Sequence, residues 1–196
     1  MFTIKTLFLR ALLALSIAIG APAAIAGPVY NISIDTASLA GTTGLLDLMF
    51  LGRETPNPTF AFVSNFSGDF FGEPIREGDA SGDIVNGVVL GNRGGFNVFD
   101  QAVRFGGLLS FDVSFATDYE LIGTTLSVAL LDMGFNYVGA EAQLLTIDVA
   151  ANTPADIAVL APGLVAVTEV PEPHEWLLIA SGLMLMGMSR RLQRRG

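Results

Sequence analysis

The segment Leu109-Ser-Phe-Asp-Val-Ser-Phe115 alternates apolar and polar side chains without a break. A period of two puts Leu109, Phe111, Val113 and Phe115 on one face of a strand and Ser110, Asp112 and Ser114 on the other, one for a core and one for water. Such a strand needs a second apolar surface to cover it, and the rest of the chain offers mainly more strands. Tyr30, Ile32 and Ile34 alternate with Asn31, Ser33 and Asp35, and Leu45 to Leu51 sets Leu46, Leu48 and Phe50 on one side. Thr59 to Phe66 reads as a strand with Phe60, Phe62 and Phe66 together. Val85 to Leu90, Gln143 to Val149, Ile157 to Leu160 and Leu164 to Thr168 are short strands, and Thr124 to Leu131 is more continuously apolar, as in a central strand covered on both faces. Phe96 to Phe105 fits neither period.

Glycine-rich punctuation separates these runs. Ala40-Gly-Thr-Thr-Gly44 reads as a turn, so the first two strands are expected to pair as a hairpin. Gly91 to Gly95 is a second turn, and Ser67 to Gly82 is the longest irregular stretch, with Phe70 and Phe71 expected to cap the core. Nine or ten short strands with polar turns and no sustained helical period argue an all-β fold, an antiparallel two-sheet sandwich of jelly-roll-like type. A β-solenoid would need a repeat of fixed period, which the sequence lacks.

The two ends have a different character. Lys5 and Arg10 precede an apolar stretch from Ala11 to Ile19, followed by Ala24-Ile25-Ala26, the pattern of a secretory leader cut after Ala26, with Ala24 and Ala26 as the cleavage-site residues. At the other end Val170-Pro171-Glu172-Pro173 leads into an apolar run from Trp176 to Met188 and then Arg190, Arg191, Arg194 and Arg195. The prolines hold the backbone extended and keep a helix from starting upstream. The arginines keep the far end cytoplasmic. Those 13 apolar residues fall short of the ~20 that a spanning helix needs, which favours a segment used transiently over a permanent anchor. The chain thus divides into a leader with a signal helix (1–26), an exported domain (27–169) and a tail with a hydrophobic helix (170–196).

This tail resembles the PEP-CTERM sorting signal of Gram-negative bacteria. The resemblance implies that an exosortase-type membrane transpeptidase reads Pro171, Glu172 and Pro173 and removes the segment after a transient stay in the inner membrane. The implied destination is the cell envelope, its outer surface or an extracellular matrix.

Elimination bounds the chemistry. Once leader and tail are set aside, the basic residues are Arg53, Arg76, Arg93 and Arg104, against all but two of the 19 acids. So acidic a surface repels phosphates, and nucleic acid is not an expected partner. The chain has no cysteine, its single histidine is His174 in the tail, and its single lysine is Lys5 in the leader. Serine-histidine, cysteine and Schiff-base catalysis, and zinc held by His or Cys, therefore have no residues in the exported domain. Carboxylate chemistry survives, as a glycosidase pair or as calcium ligation. Glu77, Asp79 and Asp83, with Ser81 between, fall at every second position of a glycine-bearing loop and are the candidate calcium ligands; no other cofactor is expected. They lack the full calcium-loop signature, and a solvated acidic loop is the simpler reading. Glycan stacking favours Trp and Tyr, and only Tyr30, Tyr119 and Tyr137 serve, since the phenylalanines are expected mostly in the core. The expected function is therefore a non-catalytic structural or adhesive protein associated with exopolysaccharide. The alternative is a carbohydrate-binding module or a small carboxylate-dependent glycoside hydrolase.

Overall fold

The computed structural model describes residues 27–52, 59–116, 123–150 and 153–170. In chain order the strands are β1 (Val29–Asp35), β2 (Thr43–Leu51), β3 (Phe60–Ser67), β4 (Ile75–Glu77), β5 (Ala80–Asp83) and β6 (Gly87–Gly91). They continue as β7 (Phe96–Arg104), β8 (Leu108–Ala116), β9 (Thr124–Leu131), β10 (Leu145–Val149), β11 (Asp156–Val159) and β12 (Val165–Val170). They form two six-stranded sheets, one in the order β12-β1-β8-β3-β6-β5 and one in the order β11-β10-β9-β2-β7-β4. Every pairing is antiparallel. The expected all-β, two-sheet antiparallel sandwich is what the chain forms. Among the described residues the only helix is a single 3-10 turn, Ala37–Leu39, and none is long and apolar enough to cross a membrane. The expected signal and tail helices lie outside the described residues.

The expected β1–β2 hairpin does not form. β1 lies between β12 and β8 in one sheet, and β2 between β9 and β7 in the other. Ile32, Ile34, Leu46, Leu48 and Phe50 are all fully buried. In opposite sheets the two strands can each bury an apolar face in the shared core, whereas side by side both faces would still lack a cover. The chain does turn at Ala40 and Gly41, but as part of a corner between the sheets. The buried Thr36 hydroxyl donates to the Gly107 carbonyl at 2.6 Å and accepts from the Gly106 N–H at 3.0 Å, and the 3-10 turn then carries the chain to the opposite sheet. Gly44, early in β2, is glycine because a Cβ there would lie 2.1 Å from the Leu131 carbonyl oxygen.

The expected face of β3 is reversed at its start. Ala61 and Val63 point inward, fully buried, while Phe62 is 40% exposed. Phe60-Ala-Phe-Val63 is apolar on both faces, so hydropathy alone does not choose between them. A bulge between Ser64 and Ser67, with Asn65 at φ 55°, then shifts the register. The shift turns Phe66 into the core, where it stacks on Phe111 at 5.6 Å and meets Phe70 edge-on at 6.0 Å. Bulges act in this way, inserting a residue and re-aiming those that follow. The stretch expected to be irregular holds β4 and β5, too short and polar for a hydropathy signal. Phe70 does pack on the core, and Phe71 lies under the Arg104 guanidinium, 4.4 Å from ring centroid to Cζ.

The ambiguous stretch is β7, beside β2. Its inward side mixes Phe99 and Val103 with buried Asn97 and Gln101, which breaks the hydropathy alternation. Both amides are used: Asn97 donates to the Phe50 carbonyl (3.2 Å) and accepts from the Asp79 N–H (2.7 Å), and Gln101 donates to the Phe71 carbonyl (2.6 Å). Buried polar groups need such partners.

Phe111, fully buried in the middle of β8, is the best single probe of this core. Phe111→Ala is expected to lower unfolding free energy by about 3–5 kcal/mol in urea titration. A loss under about 1 kcal/mol, within the scatter of surface substitutions, would contradict the assigned inter-sheet packing.

Candidate functional site

Asp47 of β2 and Asp100 of β7 stand directly opposite each other on adjacent strands. Their neighbours Leu46, Leu48 and Phe99 point into the core, so both carboxylates lie on the outer face of the second sheet. The row continues through Ala129 of β9 on one side and Ile75 of β4 on the other. Cβ atoms of directly opposed residues lie about 4.5–5.5 Å apart, so the two carboxyl groups meet. Asp100 is only 4% exposed, and its Oδ1 has no hydrogen-bond partner.

Two acids so placed cannot both ionise freely. Burial pushes the Asp47 carboxyl up to about 8, helped by its hydrogen bond to Asp100 and by repulsion from that group. Burial raises Asp100 too; the hydrogen bond with Asp47 pulls it down and Glu77 pushes it up. Burial raises both carboxyls and each lies against the other, so the two titrate as a pair. The pair therefore keeps one proton at neutral pH, as close carboxylates do.

This geometry bears on the glycosidase alternative. Carboxyl groups that flank a glycosidic bond stand about 5–5.5 Å apart in retaining enzymes and about 6.5–9.5 Å apart in inverting ones. Two groups hydrogen-bonded to each other leave no room for a sugar oxygen between them. A cavity beside Pro28, Tyr30, Phe115, Val149 and Pro154 encloses about 80 Å³, well below the roughly 300 Å³ at which small-molecule pockets begin.

The three candidate calcium ligands are distributed along a corner. Glu77 ends β4 in the second sheet, Asp83 ends β5 in the first, and Asp79 lies between them. Asp83 closes its own turn, accepting from the N–H groups of Val85 (2.8 Å) and Asn86 (2.7 Å) and from the Asn86 side-chain amide (2.9 Å). Those bonds, the Asn86 backbone first, lower its pKa. The Asp79 carboxylate rests against Gly91, where a Cβ would lie 2.1 Å from Oδ2. Among the described residues no group of three or more His, Cys, Asp or Glu could hold a metal ion. Ala24, Ala26, Pro171, Glu172, Pro173, Arg190, Arg191, Arg194 and Arg195 lie outside the described residues.

Sequence reasoning missed the acid pair. Its only local trace is an acid at an outward position inside an apolar strand, Leu46-Asp47-Leu48 and Phe99-Asp100. The pairing itself depends on register between distant strands. The expectation for the aromatics also changes: Tyr30 is buried, while Phe62, Phe96 and Phe135 are exposed. Comparison of the chain with protein-family models, curated proteins and solved structures finds no match.

The shared proton makes stability depend on pH with a definite sign. Asp47 titrates near 3.8 when unfolded and near 8 when folded. Between those values the unfolded Asp47 is ionised while the folded pair still holds its proton, so stability falls as pH rises through that window and is flat above it. Asp47→Asn keeps a donor for Asp100 and removes the titration. Its melting temperature, relative to the parent protein, should climb steadily from pH 4 to pH 8. Parallel profiles for the two proteins would contradict the shared proton.

Proposed function

We propose that this chain is an exported cell-envelope protein, addressed by its two ends, whose acidic sandwich has a structural or adhesive, non-catalytic role in an extracellular polysaccharide matrix. The observation that carries this reading is the pairing of the first strand with the last. Val29 lies opposite Val170, and the register runs on to Ile34 opposite Val165. The first and last strands thus pair with each other just inside the two targeting segments. Val29 and Val170, near the two ends of the described domain, are neighbours on adjacent strands.

The sandwich is of jelly-roll-like type. In support, β1, β2 and β3 pair with β8, β7 and β6 in turn, as a long hairpin does when it is wrapped around a core. The non-catalytic reading is supported by the closeness of Asp47 and Asp100 and by the missing nucleophile chemistry. Pro171, Glu172 and Pro173 are the recognition element for an exosortase-type transpeptidase, and Arg190, Arg191, Arg194 and Arg195 hold the tail's far end at the cytoplasmic face during a transient inner-membrane stage.

Cells expressing the full chain, and cells expressing a chain ending at Glu169, should distribute it differently. The full chain is expected at the cell surface or in the medium with its tail removed, as read from the C-terminal mass, and the truncated chain in the periplasm. A surface product that retains Arg194 and Arg195 would contradict tail removal.

A further inference from the structure

The bulge in β3 builds a second surface, on the outer face of the first sheet. Asn31 of β1, Asp112 of β8 and Ser64 of β3 share one row, and Asp112 is held from both sides. The Asn31 amide donates to its Oδ1 at 2.7 Å and the Asn65 amide to its Oδ2 at 2.7 Å. Asn65 reaches it only because the bulge places that residue at φ 55°, a left-handed conformation uncommon outside glycine but tolerated by asparagine. Beside this row, Phe62 lies opposite Ser114 on the same outer face. Phe60 and Phe62 form a tilted pair with ring centroids 6.4 Å apart, and Val89 is paired across from Phe62 on β6. The core takes Ala61 and Val63 at this point, and the larger rings face outward.

We infer that Phe62, Asn65 and Asp112 form a contact site for a neutral hexopyranose chain. The ligand chemistry follows from the surface. A pyranose offers an apolar C–H face and a fan of hydroxyls. The phenylalanines offer a platform for the first. Asp112 offers an oriented acceptor with lone pairs to spare, and Ser64 and Ser114 offer hydroxyls for the second. Phe62 is a diagonal neighbour of Asp112, at about 7–8 Å, a spacing one sugar ring bridges. The acidity of the exported domain selects against polyanionic polysaccharides, and the two short-chain amides are neutral. A protein partner would need a wider apolar field than one pair of rings set among serines. This site deepens the matrix reading above and rests on it.

Isothermal titration calorimetry on the full chain, in a detergent without a sugar headgroup, tests the site against neutral oligosaccharides of glucose, mannose and galactose. At least one is expected to bind. Phe62→Ala and Asn65→Gly should each weaken it by at least about tenfold, roughly the worth of one good contact. Asn65→Gly keeps the left-handed backbone, and melting temperatures of both variants verify the fold. Phe96→Ala, an exposed ring elsewhere, should leave binding unchanged. Absence of binding to every oligosaccharide, or equal affinity in the variants, overturns the site. Concentration-dependent dimerisation abolished by Phe62→Ala overturns it as well, by showing a second copy of the chain as the occupant. Tail processing, read by mass in the same cells, separates the two readings: a correctly trimmed protein that binds no glycan defeats this site alone, and an untrimmed tail defeats the sorting reading alone.

Discussion

Everything in this domain depends on burying one apolar face of each strand against a strand of the other sheet. Disulfides are ruled out by composition, and the described residues have no helix that could cover a sheet. The chain therefore crosses between the sheets at most connections, with β1, β3 and β8 in one sheet and β2, β7 and β9 in the other. Phe50, Phe99 and Phe111 at the centre are sealed from water. Burial of such side chains contributes roughly 1.5–3 kcal/mol each before conformational entropy is counted, which leaves an ordinary domain only marginally stable. Surface ion pairs add little. The Arg104–Asp69 bridge, 3.0 Å long, has both partners more than half exposed.

With the core supplying stability, the outer faces are free to carry polar groups, and the two sheets use them differently. On the first, Asp112 sits between two amides that donate to it, so each of its oxygens has a partner. On the second, Asp47 meets only another acid, and a proton takes the place of a partner. One carboxylate is thereby an oriented acceptor and the other pair a proton store, a difference set wholly by what the neighbouring strand presents.

Legibility in the sequence follows the same division. Leu109 to Phe115 was readable because only one of its faces is apolar, so burial had one solution; Leu45 to Leu51 was readable as a strand although its outer face carries Leu45 and Met49 beside Asp47. Phe60 to Val63 was not, because both faces are apolar and the choice fell to the packing of the opposite sheet. β4 and β5 were invisible because edge strands of three or four mostly exposed residues carry too short a pattern, Ala80 alone packing on the core. Asp47 and Asp100 were each visible as acids, but their meeting was not, since the β2–β7 register is a property of the assembled sheet. The same holds for Asn65, whose amide reaches Asp112 through a bulge that no local pattern announces.

The sequence by itself determined that the middle of the chain would be β-structured, acidic and without the side chains of most covalent catalysis, because period and composition are local properties. Tertiary structure alone decided which strands became neighbours, which face of β3 met water and which acids would share a proton. Those outcomes depend on distances between residues far apart in the chain, and only the closing of one sheet on the other sets them.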